Sequence, residues 1–484
     1  MRESRSPSPD DRADGHSQRT GMMSAIRRHR HAWTIALLAI GLVVLGTGSV
    51  AWGIAVGAPG VSPHPTPTPT ATLSQGRPLP AAEPAPTRER TCSVQSLTQD
   101  PRLGTLQAQV VNARTGEVLF DRAGSTPGST GSVMKVLTAA AALAVLGPDY
   151  RVQTRVVAGT SPGQIVIIGG GDVTLSRLPD GQPSFYTNAP TMQDLATQTK
   201  QALGTQPITS IVVDTSLFSG PVWQPTWDEH EEREVEGSTP YMTALMVDGD
   251  RADPTASDSP RSTDPVGRAV QYFQQYLGTD VPVTSGVAPA GARQLAMVQS
   301  QPVSVLIDQA LTYSDNTIME ELSRLVAIKT GAGNTFAAEN QGVLTALQEY
   351  GIPTTGIHAA DGSGLSPDSV VPASYLTQLF IKILNRQDGL GVIYDGLPIS
   401  GETGTLGPGW GRFTGANAIA RGAVHAKTGS IDTAFTLAGI VNSADGTPLT
   451  FAVYALGSVT ESSRAAIDTL VTGFYRCGDN LSNY

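Results

Sequence analysis

The stretch from Ser132 to Leu146 reads Ser-Val-Met-Lys-Val-Leu-Thr-Ala-Ala-Ala-Ala-Leu-Ala-Val-Leu, and nearly all of its residues are apolar. Alanine and leucine are strong helix formers, and the Gly147-Pro148 pair that follows is a helix stop. A helix that is apolar on every face has to be covered by other elements. The stretch therefore predicts a helix buried inside a domain.

Ser132 and Lys135 stand at the start of this helix, three positions apart. Residues at this spacing share one helix face, and the free N–H groups and positive dipole end of a helix N-terminus stabilise an alkoxide there. Apolar surroundings disfavour the charged form of a lysine, so we expect a lowered pKa that makes Lys135 a usable base. The alternative is a serine N-cap followed by an incidental lysine.

The triplet 314–316, Ser-Asp-Asn, is a second candidate for the site. Its small hydroxyl and amide groups can relay a proton and hold a peptide carbonyl. Taken alone, the triplet indicates a helix N-cap equally well.

The segment 427–430, Lys-Thr-Gly-Ser, is the third candidate and is expected to begin a strand. The glycine permits close approach of a substrate backbone, and the lysine and threonine can bind a carboxylate. A second Lys-Thr-Gly stands at 329–331, where it follows a predicted helix and places glycine at the C-cap position. We interpret this copy as a helix end.

Lysine is rare in this chain, so motifs that contain it are hard to meet by chance. The 484 residues include 32 basic ones, of which five are lysines and 27 are arginines. Two of the five are Lys135 and Lys427.

The remaining pattern predicts an α+β arrangement with an antiparallel sheet. A hairpin is predicted over 107–111 and 118–121, because two strand-like runs flank a turn that contains glycine. Further strands are predicted over 152–157, 164–168, 208–213, 433–441 and 449–456, and helices over 302–329, 372–384 and 462–475. A hairpin, a buried helix, further helices, a strand pair and a terminal helix together favour this fold class.

The first 56 residues predict a membrane anchor. Residues 1–31 contain seven arginines and four acidic residues, and 32–56 is an uncharged, largely apolar run. Twenty-five such residues can span a bilayer core of about 30 Å, and the arginines ahead of them favour a cytoplasmic tail. The prediction is therefore a signal-anchor with the following domain outside the cell membrane, and the alternative is a cleaved, secreted form.

The segment 57–90 is rich in proline and predicts an extended stalk. Residues 91–484 have 22 basic and 36 acidic residues, a balance of −14 within a whole-chain charge of −10. Without a basic patch interleaved with aromatic residues, a nucleic-acid partner is not expected.

The chain has two cysteines, Cys92 and Cys477, one at each end of the exported region. In an oxidising compartment they are expected to form a disulfide that joins the first and last segments. Two free thiols are the alternative.

In the order Ser-x-x-Lys, Ser-Asp-Asn and Lys-Thr-Gly, the three motifs resemble those of the penicillin-recognising serine enzymes. The first two motifs lie 182 positions apart, unlike those of class A β-lactamases. The chain is similar instead to the low-molecular-mass class C penicillin-binding proteins, the D-alanyl-D-alanine carboxypeptidase/endopeptidase family. Other stretches that carry the resemblance are 168–175, 214–221, 361–366, 397–401 and 404–406.

This resemblance implies a transpeptidase/β-lactamase-like catalytic domain, an antiparallel sheet flanked by helices, formed by 91–152 and 298–484. A β-rich domain, 153–297, would be inserted between the first and second motifs.

The resemblance also implies roles for the first two motifs. Ser132 would attack the carbonyl of a D-Ala-D-Ala bond and form an acyl-enzyme, with Lys135 as its base. Ser314 would pass a proton to the leaving amine, and Asn316 would bind the amide on the acyl side.

For the third motif, Lys427 and Thr428 would seat the terminal carboxylate, and Gly429 would let the substrate approach. The backbone N–H groups of Ser132 and Ser430 would form the oxyanion hole. The implied partners are peptidoglycan stem peptides and inhibitory β-lactams.

No cofactor or metal is predicted. The histidines at 230, 358 and 425 are too far apart for a zinc-peptidase motif. The acidic run 228–234 is interpreted as a solvated segment, and the alternative is capture of the free amine of a diamino acid in the stem peptide. Two other functions stay open: a β-lactamase or esterase on the same scaffold, and an inactive wall-binding protein.

Overall fold

A five-stranded antiparallel sheet brings the first and last strands of the described chain together in the computed structural model, which describes residues 89–484. The strands are β1 Thr105–Asn112, β2 Val118–Arg122, β3 Pro127–Ser129, β4 Gln153–Ala158, β5 Gln164–Ile168, β6 Ser210–Asp214, β7 Val283–Ser285, β8 Gln294–Gln299, β9 Val370–Pro372, β10 Val424–Ile431, β11 Ala434–Asn442 and β12 Pro448–Leu456. The main sheet has the order β10-β11-β12-β1-β2. The predicted hairpin and the predicted late strand pair both lie in this sheet.

The helices surround this sheet and a second, smaller one. They are α1 Gln95–Thr98, α2 Met134–Val145, α3 Met192–Leu203, α4 Pro265–Leu277, α5 Val303–Tyr313, α6 Asn316–Lys329, α7 Phe336–Leu347, α8 Ala373–Leu384, α9 Gly391–Gly396 and α10 Ser462–Cys477. The apolar stretch of the first motif forms α2, whose residues from Met134 to Leu143 are all buried, as predicted.

Both faces of the main sheet are covered, which explains why β11 and β12 read as continuous apolar runs. On β11, Ala438 and Ile440 belong to the core that contains α2, α5, α6 and α8. Their neighbours Leu437 and Val441 belong to the opposite core, which α10 covers. The period of two along a strand thus divides one apolar run between two cores.

Residues 153–299 contain the second sheet, of order β7-β6-β5-β4-β8. Strands β5, β6 and β7 pair in parallel, whereas β4 pairs antiparallel with β5 and β8. This stretch was predicted to be strands and turns, but it also forms α3 and α4. The local signals are Thr191, which caps α3, and the Asp264-Pro265 pair that begins α4.

The predicted domain boundaries, 91–152 with 298–484 and 153–297 between them, stay predictions. The described residues belong to one compact unit, Ala85–Tyr484. The tail, anchor and most of the stalk predicted over 1–90 lie outside the described residues. Between residues 89 and 484, no helix has the length and apolar character needed to cross a membrane.

The two ends of the described chain lie side by side. Cys92 and Cys477 form a disulfide across 385 positions of sequence. The Cys92 N–H donates to the Asn480 carbonyl at 3.1 Å, and the Ser482 N–H donates to the Cys92 carbonyl at 2.9 Å. The last turn of α10 is therefore tied to the segment that precedes β1.

Candidate active site

Ser132 and Lys135 are in direct contact at the start of the buried helix. Ser132 lies in a short 3₁₀ turn, Gly131–Val133, which leads into α2. The Lys135 Nζ donates to the Ser132 Oγ at 2.7 Å, to the Asn316 Oδ1 at 2.6 Å and to the Ser363 carbonyl at 2.9 Å. Burial lowers the pKa of Lys135 to about 8, although nearby carboxylates, Glu320 foremost, oppose that shift.

The second motif breaks the chain between two helices where one helix over 302–329 was predicted. α5 ends at Tyr313, and Ser314 takes a left-handed conformation with φ of 63°. Asp315 then caps α6, its carboxylate accepting the Ile318 N–H at 2.8 Å. The helix prediction was wrong here because Ser-Asp-Asn serves as both a C-cap and an N-cap. The break turns Ser314 and Asn316 toward two different lysines.

Lys427 joins the second and third motifs. Its Nζ donates to the Ser314 Oγ at 2.8 Å and to the Thr428 carbonyl at 2.9 Å. Burial lowers its pKa well below the ordinary value, and the charge of Lys135 adds to the shift. The strand that carries it, β10, begins at Val424, three residues before the start that the sequence predicted.

Strand β10 passes very close to the turn that holds Ser132. A Cβ on Gly429 would lie 2.9 Å from the Ser132 nitrogen, and a Cβ on Gly131 would lie 2.8 Å from the Ser430 nitrogen. Only glycine permits this approach, and Gly131 also has a φ of 50°. The main-chain nitrogens of Ser132 and Ser430 are thereby brought next to each other.

Ser132, Ser314, Asn316, Thr428, Gly429 and Ser430 all line one open cleft of about 640 Å³. Lys135 and Lys427 are fully buried behind them. Most of the acidic run 228–234 is exposed, as predicted. Two residues of the run are exceptions: Arg233 is buried, and Glu232 is partly buried in the cleft wall. Burial raises the pKa of Glu232 to about 7.

Several residues at the site had no signal in the sequence. Ser363 contributes only a carbonyl to Lys135. Thr405 Oγ1 lies 2.8 Å from Thr428 Oγ1 in the cleft, and Thr239 Oγ1 accepts the Asn316 Nδ2 at 3.2 Å. The stretches 361–366 and 404–406 carried the family resemblance, but nothing local indicated what these side chains or carbonyls contact.

Other sequence features lie away from the cleft. The Lys-Thr-Gly copy at 329–331 ends α6, with Gly331 at a φ of 79°, so its interpretation as a helix end is confirmed. The three histidines are separate: His230 pairs with Glu234, His358 contacts the Asp368 carbonyl, and His425 stacks on Tyr394. In residues 89–484, no cluster of three or more His, Cys, Asp or Glu side chains is arranged to hold a metal ion.

Known proteins are similar to this chain over most of the described residues. The family model described as D-Ala-D-Ala carboxypeptidase 3 (S13) matches residues 91–261 and 247–474. A carboxypeptidase of Mycobacterium tuberculosis is 36% identical over 409 residues, covering 83% of this chain and 87% of the relative. Carboxypeptidase DacB of Mycolicibacterium smegmatis is 36% identical over 410 residues, with the same coverage.

Among solved structures, penicillin-binding protein 4 of Haemophilus influenzae is similar in fold. The TM-score is 0.67 at 21% sequence identity, over 79% of this chain and 99% of that one.

Proposed function

The chain belongs to the D-Ala-D-Ala carboxypeptidase 3 (S13) family, and from this premise we propose that its cleft removes the terminal D-alanine of peptidoglycan stem peptides through an acyl-enzyme on Ser132. The observation that carries the proposal is the contact of Ser132 Oγ with a fully buried Lys135 amine at 2.7 Å. Buried lysines with a lowered pKa act as bases near neutral pH.

In the acylation step, neutral Lys135 takes the proton of the Ser132 hydroxyl. The Ser132 oxygen then attacks the carbonyl of the penultimate D-alanine. The two N–H groups of the neutral amine are directed to the Asn316 Oδ1 and the Ser363 carbonyl. In the charged form the third N–H donates to the Ser132 Oγ at 2.7 Å. In the neutral form a lone pair takes its place and accepts the Ser132 hydroxyl, as a general base requires.

Departure of the terminal D-alanine requires a proton on its nitrogen. Ser314 is the donor that the geometry supports, because its hydroxyl borders the cleft and accepts a hydrogen bond from Lys427 at 2.8 Å. The family resemblance implied that Lys427 also binds the terminal carboxylate, but its buried amine is directed to the Ser314 hydroxyl and the Thr428 carbonyl, so we assign it a different role. Its role is to orient Ser314 and to resupply the proton.

The N–H groups of Ser132 and Ser430 would stabilise the oxyanion of the tetrahedral intermediate. Each such donor contributes roughly 10² to 10³ in rate. Beside them, the Thr428 and Thr405 hydroxyls offer hydrogen bonds for the terminal carboxylate.

Water then hydrolyses the acyl-enzyme. A β-lactam is a D-Ala-D-Ala mimic that would be held at this stage, so we expect inhibition. Endopeptidase cleavage of cross-linked stem peptides would use the same groups.

The test is mass spectrometry of the chain after incubation with a penicillin. A stable adduct on the peptide that contains Ser132 is expected, and Ser132→Ala should remove it together with release of D-alanine from a D-Ala-D-Ala peptide. An adduct that persists in Ser132→Ala, or its absence from the wild-type chain, would contradict the proposal. Rapid turnover of a chromogenic cephalosporin would favour a β-lactamase instead.

A further inference from the structure

The loop 361–364, Asp-Gly-Ser-Gly, lies against α2 beside the proposed base. The Ser363 carbonyl accepts the Lys135 Nζ at 2.9 Å, and the Gly362 carbonyl accepts the Thr138 Oγ1 at 2.7 Å. The Ser363 carbonyl belongs to the 363–364 peptide, whose Gly364 N–H is accepted by the Asp361 Oδ1 at 2.9 Å. The direction of this carbonyl therefore depends on the groups that hold the loop main chain on both sides of Ser363, and it determines where the Lys135 amine points.

Glu320 holds the loop main chain on the N-terminal side of the Ser363 carbonyl. It is fully buried on α6, one turn after Asn316. Its carboxylate accepts the Ser363 N–H at 2.7 Å and the Gly362 N–H at 3.2 Å. A Cβ on Gly362 would lie 2.5 Å from the Met319 carbonyl, so the loop is pressed directly against the helix.

The geometry of the amine gives these contacts a role in the reaction. A neutral lysine amine has two N–H groups and one lone pair, and it rotates freely about its last C–N bond unless both N–H groups have fixed acceptors. Asn316 supplies one acceptor directly, and the Ser363 carbonyl supplies the other. Without the second, the lone pair would spend part of its time turned away from Ser132.

We propose that Glu320 is a positioning residue for acylation, which fixes the Ser363 carbonyl and thereby aims the Lys135 lone pair at Ser132. The inference rests on the proposed role of Lys135 as the base. Glu320 does not line the substrate cleft, and it acts through the main chain of Ser363, whose N–H it accepts and whose carbonyl contacts Lys135.

Glu320→Gln tests this directly. An amide has one acceptor oxygen and an NH₂ group, so one of the two loop N–H groups would face a donor. We expect acylation by a fluorescent penicillin to slow by roughly 10²-fold, the usual effect of misplacing a reacting group by about 1 Å. The acid limb of the pH–rate profile should also move to lower pH, because a displaced Ser363 carbonyl no longer stabilises the charged form of Lys135 and the pKa of that lysine then falls.

Glu321→Gln is the matched control. Glu321 is the next residue on the same helix and is equally buried, and its carboxyl makes no hydrogen bond to the 361–364 loop in the described structure. This variant should retain the wild-type rate and profile. Melting temperatures of both variants report whether each one folds.

A wild-type rate in folded Glu320→Gln would overturn the proposal. So would an equal loss at every pH with the acid limb unmoved, which is the sign of a merely structural role. If the glutamine variant does not fold, Glu320→Asp withdraws the carboxylate from the loop and should shift the profile in the same direction, and an unshifted profile overturns the proposal. If the wild-type chain does not acylate Ser132, the proposed function itself is contradicted. The outcomes above contradict only the role of Glu320.

Discussion

Lys135 and Lys427 differ in their surroundings although both are fully buried. Lys135 has three oxygen acceptors and several carboxylates nearby. Lys427 has the Ser314 hydroxyl and the Thr428 carbonyl, and the charge of Lys135 depresses its pKa further. Two ammonium groups in one buried site repel each other, so protonation of one disfavours protonation of the other. This coupling suits a reaction in which a proton enters through one lysine and leaves through the other.

At the residue scale, the rate of Ser132 acylation should depend on pH through Lys135. Burial lowers its pKa from the ordinary lysine value of 10.5 to about 8, so the neutral form grows as pH rises toward 8. The rate should rise about tenfold per pH unit below 8 and level off above it. Stopped-flow measurement of penicillin acylation between pH 5.5 and 9.5 checks this.

Lys135→Arg provides the control for that measurement, because a guanidinium keeps its proton throughout the range. Its acylation should be lost at every pH. A wild-type rate that stays flat between pH 6 and 9 would contradict the assignment of Lys135 as the base.

At the scale of elements, α6 connects the site to the stretch predicted as an insertion. Its N-cap, Asp315, forms an ion pair at 2.7 Å with Arg251, and both side chains are buried. Arg251 also donates to the Tyr186 hydroxyl at 2.7 Å and lies over the ring of Phe185. Residues from 185 to 251 thus help to set the end of the helix on which Asn316 stands. The stretch between the first two motifs therefore supports the cleft as well as forming its own sheet.

Arg251→Met should destabilise the protein strongly. Breaking a buried pair leaves Asp315 without its cation, which costs about 3–5 kcal/mol in free energy of unfolding. Acylation of Ser132 should slow as well, because the start of α6 loses a fixed position. Denaturant unfolding and penicillin labelling measure the two effects.

Arg386→Met serves as the comparison for Arg251→Met. Arg386 pairs with Asp395, but both side chains are more than half exposed. Exposed pairs contribute little, so stability and labelling should both remain near wild type. Equal losses of stability and of labelling in the two variants would show that the effect of Arg251→Met does not come from burial of its ion pair.

For the whole molecule, the disulfide and the main sheet together close the chain on itself. Strand β1 pairs with β12, so residues about 350 positions apart lie in register. The Cys92–Cys477 bond closes the loop outside that pairing. Such a cross-link removes many conformations from the unfolded chain.

Replacing both cysteines by alanine should lower the free energy of unfolding by ~2–4 kcal/mol. Ser132 lies in a different part of the fold, so penicillin labelling at low temperature should be retained. Thermal unfolding with and without reductant tests this, and the double variant should become insensitive to reductant. Loss of labelling in the folded variant would indicate that the bond also supports the cleft.

The sequence predicted the candidate catalytic side chains better than it predicted the long-range contacts that hold them. Ser132, Lys135 and Lys427 were found because rare lysines stood in fixed spacing beside hydroxyl groups. Glu320 and Arg251 were missed, since each contacts a partner more than 40 positions away, and no local pattern records such a contact. The single helix predicted over 302–329 does not include the break at Ser314, although the Ser-Asp-Asn triplet by itself also indicates a helix N-cap.

The covalent link between the two ends also has a mechanical consequence. Tension applied between the segment before Cys92 and the final residues after Cys477 would pass through the sulfur–sulfur bond. The residues enclosed by that bond, including all twelve described strands and the whole cleft, would carry none of the load. An enzyme that works on a wall under stretch could thus be pulled from its ends without its active site being deformed.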